Sequence, residues 1–367
     1  MIKIAVVTKS ATTKSGARVP FELATYLAKF HNVLVFAQKK NTEKNLEPFL
    51  KSKNVQLIFY QNPIDLLLKL RKEKVDIISF HATLSEAISA KLALKPIVQT
   101  YYGTQFDAYL EKFTPDQKIS FYDTVLNRIL NYLIWLNKKI LSMLATKVIA
   151  ISKYTQKELK KLFSVNSKVI YLGVSLKPKN LNRDLSSVNH KPVILSISRF
   201  TPYKGFHHLI EAVEKLRRSG LPIKLIIAGS LGKKRYLEYL QRIKNKNNQI
   251  LVNVSDKQLI NLYRKCDIYA SCDRYLFFGL PIAEAAYFAK PAIALNFAAA
   301  KELIVHKKSG FVAQSTEELY KYLKILVGNP QLRHKMGIWA MKNARKQFDW
   351  TQITLLYKQV FVEILNK

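Results

Sequence analysis

The sequence predicts an α/β protein made of two doubly wound domains, and three observations support this prediction. The chain has 367 residues, more than a single hydrophobic core usually serves. Short apolar runs alternate with segments of helical periodicity, which is typical of parallel sheets with crossover helices. The alternation pauses once, in a polar stretch near the middle, and then resumes. We therefore expect two tandem domains that face each other across a ligand-binding cleft.

The first domain is predicted to span residues 1–175. Its strands are expected at five short apolar runs: residues 4–7, 33–36, 56–59, 77–80 and 97–100. Apolar side chains between the first two runs recur at helical spacing: Phe21, Leu23, Tyr26, Leu27 and Phe30. This spacing predicts a crossover helix between two parallel strands.

A polar stretch with Pro178, several Asn and paired Ser then predicts an interdomain linker at residues 176–191. The second domain is predicted to span residues 192–347. Its expected strands are residues 193–197, 224–228, 250–254, 267–271, 292–295 and 310–313. A helix is predicted where Leu209, Ile210, Val213 and Leu216 share one face, and a basic helix around residues 236–243.

The charge of the chain is unusual. Sixty Lys and Arg against 25 Asp and Glu give a formal net charge of +35, spread over both halves. Such a charge implies attraction to anions, whether nucleic acid, anionic lipid or anionic substrates. A lysine-rich composition also arises from genome bias or heat adaptation. The 49% of hydrophobic residues exclude a disordered chain.

The two cysteines, Cys266 and Cys272, have no companion His or Cys cluster. We therefore expect neither a disulfide framework nor a zinc site, but two half-buried core thiols. The apolar run near Met1 is too short for a signal peptide, and no stretch reaches the ~20 apolar residues of a membrane span. The expected location is the cytoplasm, with peripheral membrane contact left open.

Residues 126–144 are strongly apolar and include Arg128, Lys138 and Lys139, with Trp135 near the middle. Two interpretations stay open at this point. A basic amphipathic helix can lie in a membrane interface, where Trp135 and the flanking leucines would insert among the headgroups. Alternatively, the segment is an ordinary helix packed on the first sheet.

The first cluster with chemical character follows the predicted strand at residues 193–197. Arg199 and Lys204 lie at its carboxyl end, just before a helix. Two cations and free N–H groups at a helix start can converge there on a diphosphate. Surface Arg and Lys are common in this chain, so the pair alone is a weak signal.

The second cluster is the run from Phe278 to Ala286. Gly279 allows a close approach of backbone to a ligand, and Pro281 suits the first turn of a helix. Glu284 then falls one turn in, among apolar neighbours, where a carboxylate needs a partner. Two vicinal ribose hydroxyls would be one such partner; the helix dipole is the alternative explanation for this carboxylate.

Together and in this order, the clusters resemble the retaining glycosyltransferases of family 4, the large sucrose-synthase and mannosyltransferase type with a GT-B fold of two Rossmann-like domains. The resemblance covers nearly the whole chain. The family segment G-R-L-x-x-x-K-G is similar to residues 198–205, and E-x-F-G-L-P-x-x-E-A to residues 276–285. Residues 298–302, 309–312 and 348–350 are similar to the later G-G-x-x-E, G-F-V and F-x-W motifs.

The resemblance implies roles for individual residues. Arg199 and Lys204 would hold the diphosphate of a nucleotide-sugar donor and stabilise the charge of the leaving group. Glu284 would bind the donor ribose. Backbone at Phe278, Gly279 and Leu280 would touch the sugar.

In the first domain, the resemblance implies that Gly16 lets the first loop approach the phosphate or the acceptor. His81 would contact the donor sugar near the reacting centre; the alternative interpretation is a packed strand-end histidine. Residues 348–367 would form a terminal helix that crosses back to the first domain. Since no Asp-x-Asp motif is present, no metal and no other cofactor are expected.

The sequence also departs from the family pattern. Leu276 replaces the first Glu of the second motif, Ala298 and Ala299 replace two glycines, and Tyr102 replaces a frequent His. The choice of sugar is therefore open, and the acceptor is a lipid-linked molecule, a protein or a glycan. Two alternatives remain: an inactive relative that binds sugar nucleotides, and a basic protein associated with nucleic acid, including a glycosyltransferase that modifies DNA bases.

Overall fold

The computed structural model describes residues 1–10, 15–39, 46, 55–178 and 191–366. The chain divides into two compact units. The first consists of Met1–Thr104, Tyr132–Gly173 and Phe348–Lys367, and the second of Gln105–Asn131 and Val174–Gln347. Most of the predicted linker lies outside the described residues. The predicted domain boundaries stay a prediction, and the units differ from them by grouping residues 105–131 with the second half.

Within the described residues, the first unit is built on a seven-stranded parallel sheet of order β3-β2-β1-β4-β5-β6-β7. The strands are β1 (Lys3–Thr8), β2 (Asn32–Gln38), β3 (Gln56–Tyr60), β4 (Ile77–His81), β5 (Ile97–Tyr101), β6 (Lys147–Ala150) and β7 (Ser167–Val169). The helices are α1 (Val19–Leu27), α2 (Pro63–Lys72), α3 (Leu84–Leu92), α4 (Phe121–Leu144), whose first half is grouped with the second unit, and α5 (Lys153–Phe163). The five predicted strands are confirmed, and β6 and β7 were not predicted.

Polar caps fix where the crossover helices of this unit begin. The side chain of Asn62 accepts a hydrogen bond from the Asp65 N–H at 2.9 Å, at the start of α2. Ser152 and Thr155 form a reciprocal capping box at the start of α5. The central strands β1 and β2 are almost wholly buried, as expected of a parallel sheet covered on both faces.

Within the described residues, the second unit is built on a six-stranded parallel sheet of order β10-β9-β8-β11-β12-β13. The strands are β8 (Val193–Ile197), β9 (Lys224–Gly229), β10 (Asn248–Val252), β11 (Ile268–Ser271), β12 (Ala292–Leu295) and β13 (Gly310–Ala313). The helices are α6 (Phe206–Arg218), α7 (Lys234–Ile243), α8 (Asp256–Lys265), α9 (Leu280–Tyr287), α10 (Ala300–Leu303), α11 (Thr316–Gly328) and α12 (Pro330–Gln347). The last helix, α13 (Trp350–Leu365), belongs to the first unit.

The prediction for β10 was wrong by two residues, since the strand ends at Val252 rather than at residue 254. Asn253 adopts a positive φ of 57°, which ends the extended backbone. Its side-chain oxygen accepts a hydrogen bond from the Leu231 N–H at 3.1 Å. The turn after β10 therefore involves a side-chain hydrogen bond, which the apolar pattern of the strand could not predict.

The two cysteines are more buried than predicted. Cys266 and Cys272 are 1% and 2% exposed, and neither forms a disulfide. Burial raises the pKa of the Cys272 thiol to about 12, so this side chain is an apolar packing group. None of the helices in the described part of the chain is long and apolar enough to cross a membrane.

The strand orders show where ligands are expected. In each sheet the order reverses once, between β1 and β4 in the first unit and between β8 and β11 in the second. Doubly wound sheets bind their ligands beyond the carboxyl ends of the strands at such a reversal. The loop after β8 carries the first cluster, Arg199 and Lys204, and the loop after β11 leads into the second cluster at Phe278.

Candidate functional site: two charged loops at the sheet reversal

The loop after β8 is held against the end of β11 by a glycine. A short 3-10 turn, Pro202–Lys204, ends at Gly205, which has a φ of +66°. A Cβ atom at Gly205 would lie 2.6 Å from the Cys272 carbonyl oxygen, so a larger residue cannot occupy this position without movement of backbone. Gly205 thereby brings the loop with Arg199 and Lys204 next to the loop after β11.

Lys204 has a buried carboxylate partner. Its Nζ lies 2.5 Å from Oδ2 of Asp273, and the two side chains are 13% and 9% exposed. Oδ1 of Asp273 accepts a hydrogen bond from the Tyr275 N–H at 2.9 Å, which fixes the carboxylate. The sequence did not predict this pairing, because 69 positions separate Asp273 from Lys204.

Arg199 is oriented by an aromatic hydroxyl. Its Nη2 donates to the Tyr203 hydroxyl at 2.9 Å. Tyr203 packs edge-on against Tyr275, with ring centroids 5.4 Å apart. The guanidinium is therefore held by the same loop that carries Lys204.

A second acidic residue lies in the field of these cations. Burial raises the pKa of the Glu111 carboxyl, while the positive charges of Lys233, Arg199 and Lys204 act in the opposite direction. Glu111 also accepts a hydrogen bond from the Gln105 side chain. Glu111 belongs to the second unit, and no motif of the sequence pointed to it.

The run after β11 leads into α9 through Gly279, whose φ of +88° a larger residue would adopt only with strain. Phe278 is buried, and Leu280 begins the helix. Glu284 lies in the second turn of α9, 8% exposed, and its Oε2 accepts a hydrogen bond from the Tyr263 hydroxyl at 2.7 Å. Burial, together with this carboxylate, raises the pKa of Tyr263 well above its usual value.

The protein itself thus supplies one partner for Glu284. Ribose hydroxyls and the helix dipole are the partners expected from the sequence, and Tyr263 is a further one. A carboxylate has two oxygens and several lone pairs, so it can accept hydrogen bonds from more than one donor.

His81 and Gly16 belong to the first unit. Gly16 lies in the 3-10 turn Ser15–Arg18, which precedes α1. Nε2 of His81 lies 3.0 Å from the Ser79 hydroxyl, and Nδ1 lies 2.8 Å from the Tyr102 hydroxyl. Burial lowers the pKa of His81 to about 3, so the imidazole is neutral at neutral pH.

The second unit contains a cavity of 620 Å³ beside the charged loops. Its lining includes Glu111, Tyr203, Gly205, Arg274 and Phe297. A cavity of this size, with aromatic walls and a few charged groups, is of the kind that holds small organic ligands. The cavity is adjacent to Lys204, because Tyr203 and Gly205, the residues before and after Lys204 in the chain, both line it.

The structure also describes the departures from the family pattern. Leu276 is 5% exposed and packs where the pattern has its first Glu. Asp273, three residues earlier, provides a carboxylate in the same loop. Among the described residues, no group of three or more His, Cys, Asp or Glu side chains could hold a metal ion.

The chain has two parallel doubly wound sheets, and Arg199 and Lys204 lie where the strand order of the second sheet reverses. This arrangement is typical of α/β proteins that bind phosphorylated ligands. The model of the family described as "Glycosyltransferase Family 4" matches residues 16–177, and that described as "Glycosyl transferases group 1" matches residues 179–346. The chain belongs to the family 4 type of glycosyltransferases, with a GT-B fold. The resemblance seen in the sequence is therefore confirmed.

Individual relatives are distant. The chain is 25% identical over 207 residues to a trehalose synthase of Pyrococcus horikoshii, covering 53% of this chain and 49% of that protein. It is 24% identical over 258 residues to the capsular polysaccharide biosynthesis glycosyltransferase CapM of Staphylococcus aureus, covering 64% and 67%. The matched segments thus span about half to two thirds of these relatives.

The fold is shared with a solved structure, Anabaena Alr3699/HepE in complex with UDP and glucose. The TM-score is 0.76 at 19% identity, covering 99% of this chain and 100% of that one. Both family models describe sugar transfer, so they favour an enzyme over a protein associated with nucleic acid.

Proposed function

We propose that this protein transfers a hexose from a nucleotide-diphosphate-sugar donor to a hydroxyl of an acceptor, with retention of configuration and without a metal. The observation that carries the proposal is the pair Arg199 and Lys204 on one loop at the reversal of the second sheet. A HepE complex with UDP and glucose, and relatives described as a trehalose synthase and a capsular polysaccharide glycosyltransferase, support a sugar nucleotide as the donor.

The two cations suit the chemistry of the leaving group. When the bond between the anomeric carbon and the diphosphate oxygen breaks, the bonding pair leaves with the nucleotide diphosphate, and negative charge develops on its oxygens. Fixed cations stabilise such charge better than water does, because they need no reorganisation. In this proposal Arg199 and Lys204 take the place of a metal ion.

The other candidate residues would bind the remaining parts of the donor. Glu284 would accept hydrogen bonds from the ribose hydroxyls, because a carboxylate can accept several hydrogen bonds at once. Backbone at Phe278, Gly279 and Leu280 would contact the sugar. His81 would contact the sugar through the edge of its neutral ring, because Ser79 and Tyr102 engage both ring nitrogens. Gly16 would allow the first loop to approach.

A panel of nucleotide-diphosphate sugars tests the proposal through thermal stabilisation and slow hydrolysis of the donor. A donor at a hundred times its dissociation constant should stabilise the protein by about 2.7 kcal/mol. Arg199→Ala and Lys204→Ala should each lower the turnover of the active donor at least about tenfold, since loss of one such contact costs ~3–4 kcal/mol elsewhere. Lys265→Ala, at an exposed lysine that ends α8, is the matched control. Near-normal turnover in both site variants would reject the site.

Metal independence and retention need separate measurements. EDTA should leave turnover unchanged, and loss of turnover that manganese or magnesium restores would contradict the claim. The anomeric configuration of the product, read by NMR against that of the donor, should be the same.

A further inference from the structure

Helix α4 carries an apolar stripe that faces solvent. Its exposed apolar side chains, which we call the outer stripe, are Phe121 (78%), Tyr122 (84%), Val125 (37%), Leu126 (41%), Ile129 (53%), Tyr132 (60%), Leu133 (52%), Leu136 (36%), Ile140 (37%) and Met143 (67%). These positions recur every three or four residues, so they share one face of the helix. A helix of 24 residues is about 36 Å long, and the stripe follows most of it.

The opposite face of α4 is polar where it meets the protein. Nδ2 of Asn127 donates to Oδ1 of Asp107 at 2.9 Å, and the Asp107 N–H donates to Oδ1 of Asn131 at 2.9 Å. Nζ of Lys138 lies 5.9 Å from the centre of the Tyr101 ring. An ordinary surface helix turns its apolar face inward and its polar face outward. In the first half of α4 this polarity is reversed, whereas in the second half Leu141 and Trp135 pack inward against apolar core clusters.

Trp135 does not belong to the outer stripe. Its indole N–H donates to the Leu162 carbonyl oxygen at 3.0 Å, and its ring stacks on Tyr132. Trp135 and Leu141 pack against core clusters of the first unit, as expected of a helix packed on the first sheet. The side chains of α4 that could reach a headgroup layer are therefore those of the outer stripe, and contact with a membrane stays a prediction.

Basic residues accompany the stripe. Arg128 is exposed within it, and Lys118 and Lys147 are exposed just before and just after the helix. The acidic residue of α4, Asp123, is engaged locally, since Ser120 and Tyr109 both donate to it. An exposed apolar stripe flanked by cations is the pattern of a helix that lies in the plane of a bilayer interface.

We propose that the outer stripe of α4 docks this protein on a bilayer that contains anionic lipid. Charge complementarity selects this occupant over a second copy of the chain. Each chain carries a formal net charge of +35, so two copies repel, whereas an anionic surface attracts. Docking on a bilayer goes beyond the sugar transfer proposed above and does not depend on it.

Co-sedimentation with vesicles tests the proposal with the full chain. The probes are vesicles of phosphatidylglycerol and phosphatidylcholine, and vesicles of phosphatidylcholine alone, at physiological salt. Wild type should bind the anionic vesicles and only weakly the neutral ones. The double variant Ile129→Gln, Leu133→Gln should lower the partition coefficient at least about tenfold, because two inserted side chains lose apolar burial. Higher salt should also weaken binding, because it screens the charges.

The matched control makes the same two kinds of substitution on two other helices, α11 and α13. Ile325→Gln with Leu355→Gln replaces an isoleucine and a leucine that are 46% and 38% exposed, and it should bind vesicles like wild type. Sedimentation velocity without lipid tests the rival explanation, in which the outer stripe forms a subunit interface. If wild type ignores anionic vesicles, or if both double variants lose binding equally, the proposal fails. A wild-type dimer that the stripe variant alone dissociates, without lipid binding, would assign the stripe to a subunit interface.

Discussion

Asp273 is the residue that balances the charge of Lys204 in the loop after β8. Its carboxylate and the Lys204 ammonium form a short ion pair with little solvent exposure. A buried ion pair does not by itself show that the protein gains stability from it. Removal of one partner, however, leaves the charge of the other buried without compensation. A diphosphate brought to Lys204 would supply such compensation.

We therefore predict that Asp273→Asn lowers the melting temperature of the ligand-free protein and that a nucleotide diphosphate restores part of the loss. Breaking a buried ion pair typically costs about 3–5 kcal/mol. The stabilisation by saturating ligand should be larger for the variant than for wild type, as thermal unfolding with and without uridine or guanosine diphosphate can show.

Glu238→Gln is the control for that experiment, because the pair of Lys234 and Glu238 is exposed, at 83% and 57%. Exposed pairs of this kind contribute little, so its melting temperature should be close to that of wild type with or without ligand. An Asp273→Asn protein with wild-type stability would show that Asp273 does not compensate the Lys204 charge.

The sequence could predict some of the site residues but not their partners. Arg199, Lys204 and Glu284 lie in motifs that are local in the chain, and the structure places all three in the second unit. Asp273 contacts Lys204 across 69 positions and Tyr263 contacts Glu284 across 21. Such pairings depend on the order of strands in the sheet, which no single stretch of sequence encodes.

At the scale of elements, the close approach of two loops depends on Gly205. We predict that Gly205→Ala destabilises the protein by at least about 2 kcal/mol, because it combines a positive φ with a clash against the Cys272 carbonyl. The free energy of unfolding in urea measures this. Turnover should fall as well, since the 3-10 turn that holds Lys204 ends at this glycine.

Gly328→Ala is the matched control, because a Cβ atom at this glycine in the last turn of α11 would meet no atom within 4 Å. We expect it to be neutral or to stabilise by up to about 1 kcal/mol. Equal effects of the two alanines would show that the contact at Gly205 does not constrain the loops.

Helices and strands could be predicted from the sequence where they were long or strongly apolar. All interior strands of both sheets except β6 were found, because they are short apolar runs. The edge strand β7 has only three residues, Ser-Lys-Val, and does not stand out from a loop. Helix α4 was found, but its first turn was missed, because polar Asp123 and Thr124 interrupt the apolar pattern there.

At the scale of the whole molecule, composition predicted a charge but not where apolar surface would be exposed. The outer stripe of α4 was visible in the sequence as an apolar run. Whether such a run faces the core or solvent depends on which of its sides the rest of the protein covers. The structure answers this through the hydrogen bonds of Asn127 and Asn131 to Asp107, which identify the polar side as the inner one.

Stability of the whole molecule should also depend on pH through two buried histidines. Burial lowers the pKa of His81 to about 3 and that of His207 to about 4, against about 6.5 in an unfolded chain. Below pH 6.5 the unfolded state therefore binds protons that the folded state excludes. Folding stability should fall as the pH decreases from 6.5 towards 4, with a slope of up to about 1.4 kcal/mol per pH unit for each histidine.

The variant His207→Gln isolates one of these contributions. Nδ1 of His207 lies 2.9 Å from the Tyr236 hydroxyl, and a glutamine amide can replace that hydrogen bond without taking up a proton. Urea unfolding at pH 7.5, 6.5, 5.5 and 4.5 should give a shallower loss of stability for the variant than for wild type, with the difference confined to values below pH 6.5. Parallel profiles of the two proteins down to pH 4.5 would mean that folded His207 accepts a proton as readily as the unfolded chain does.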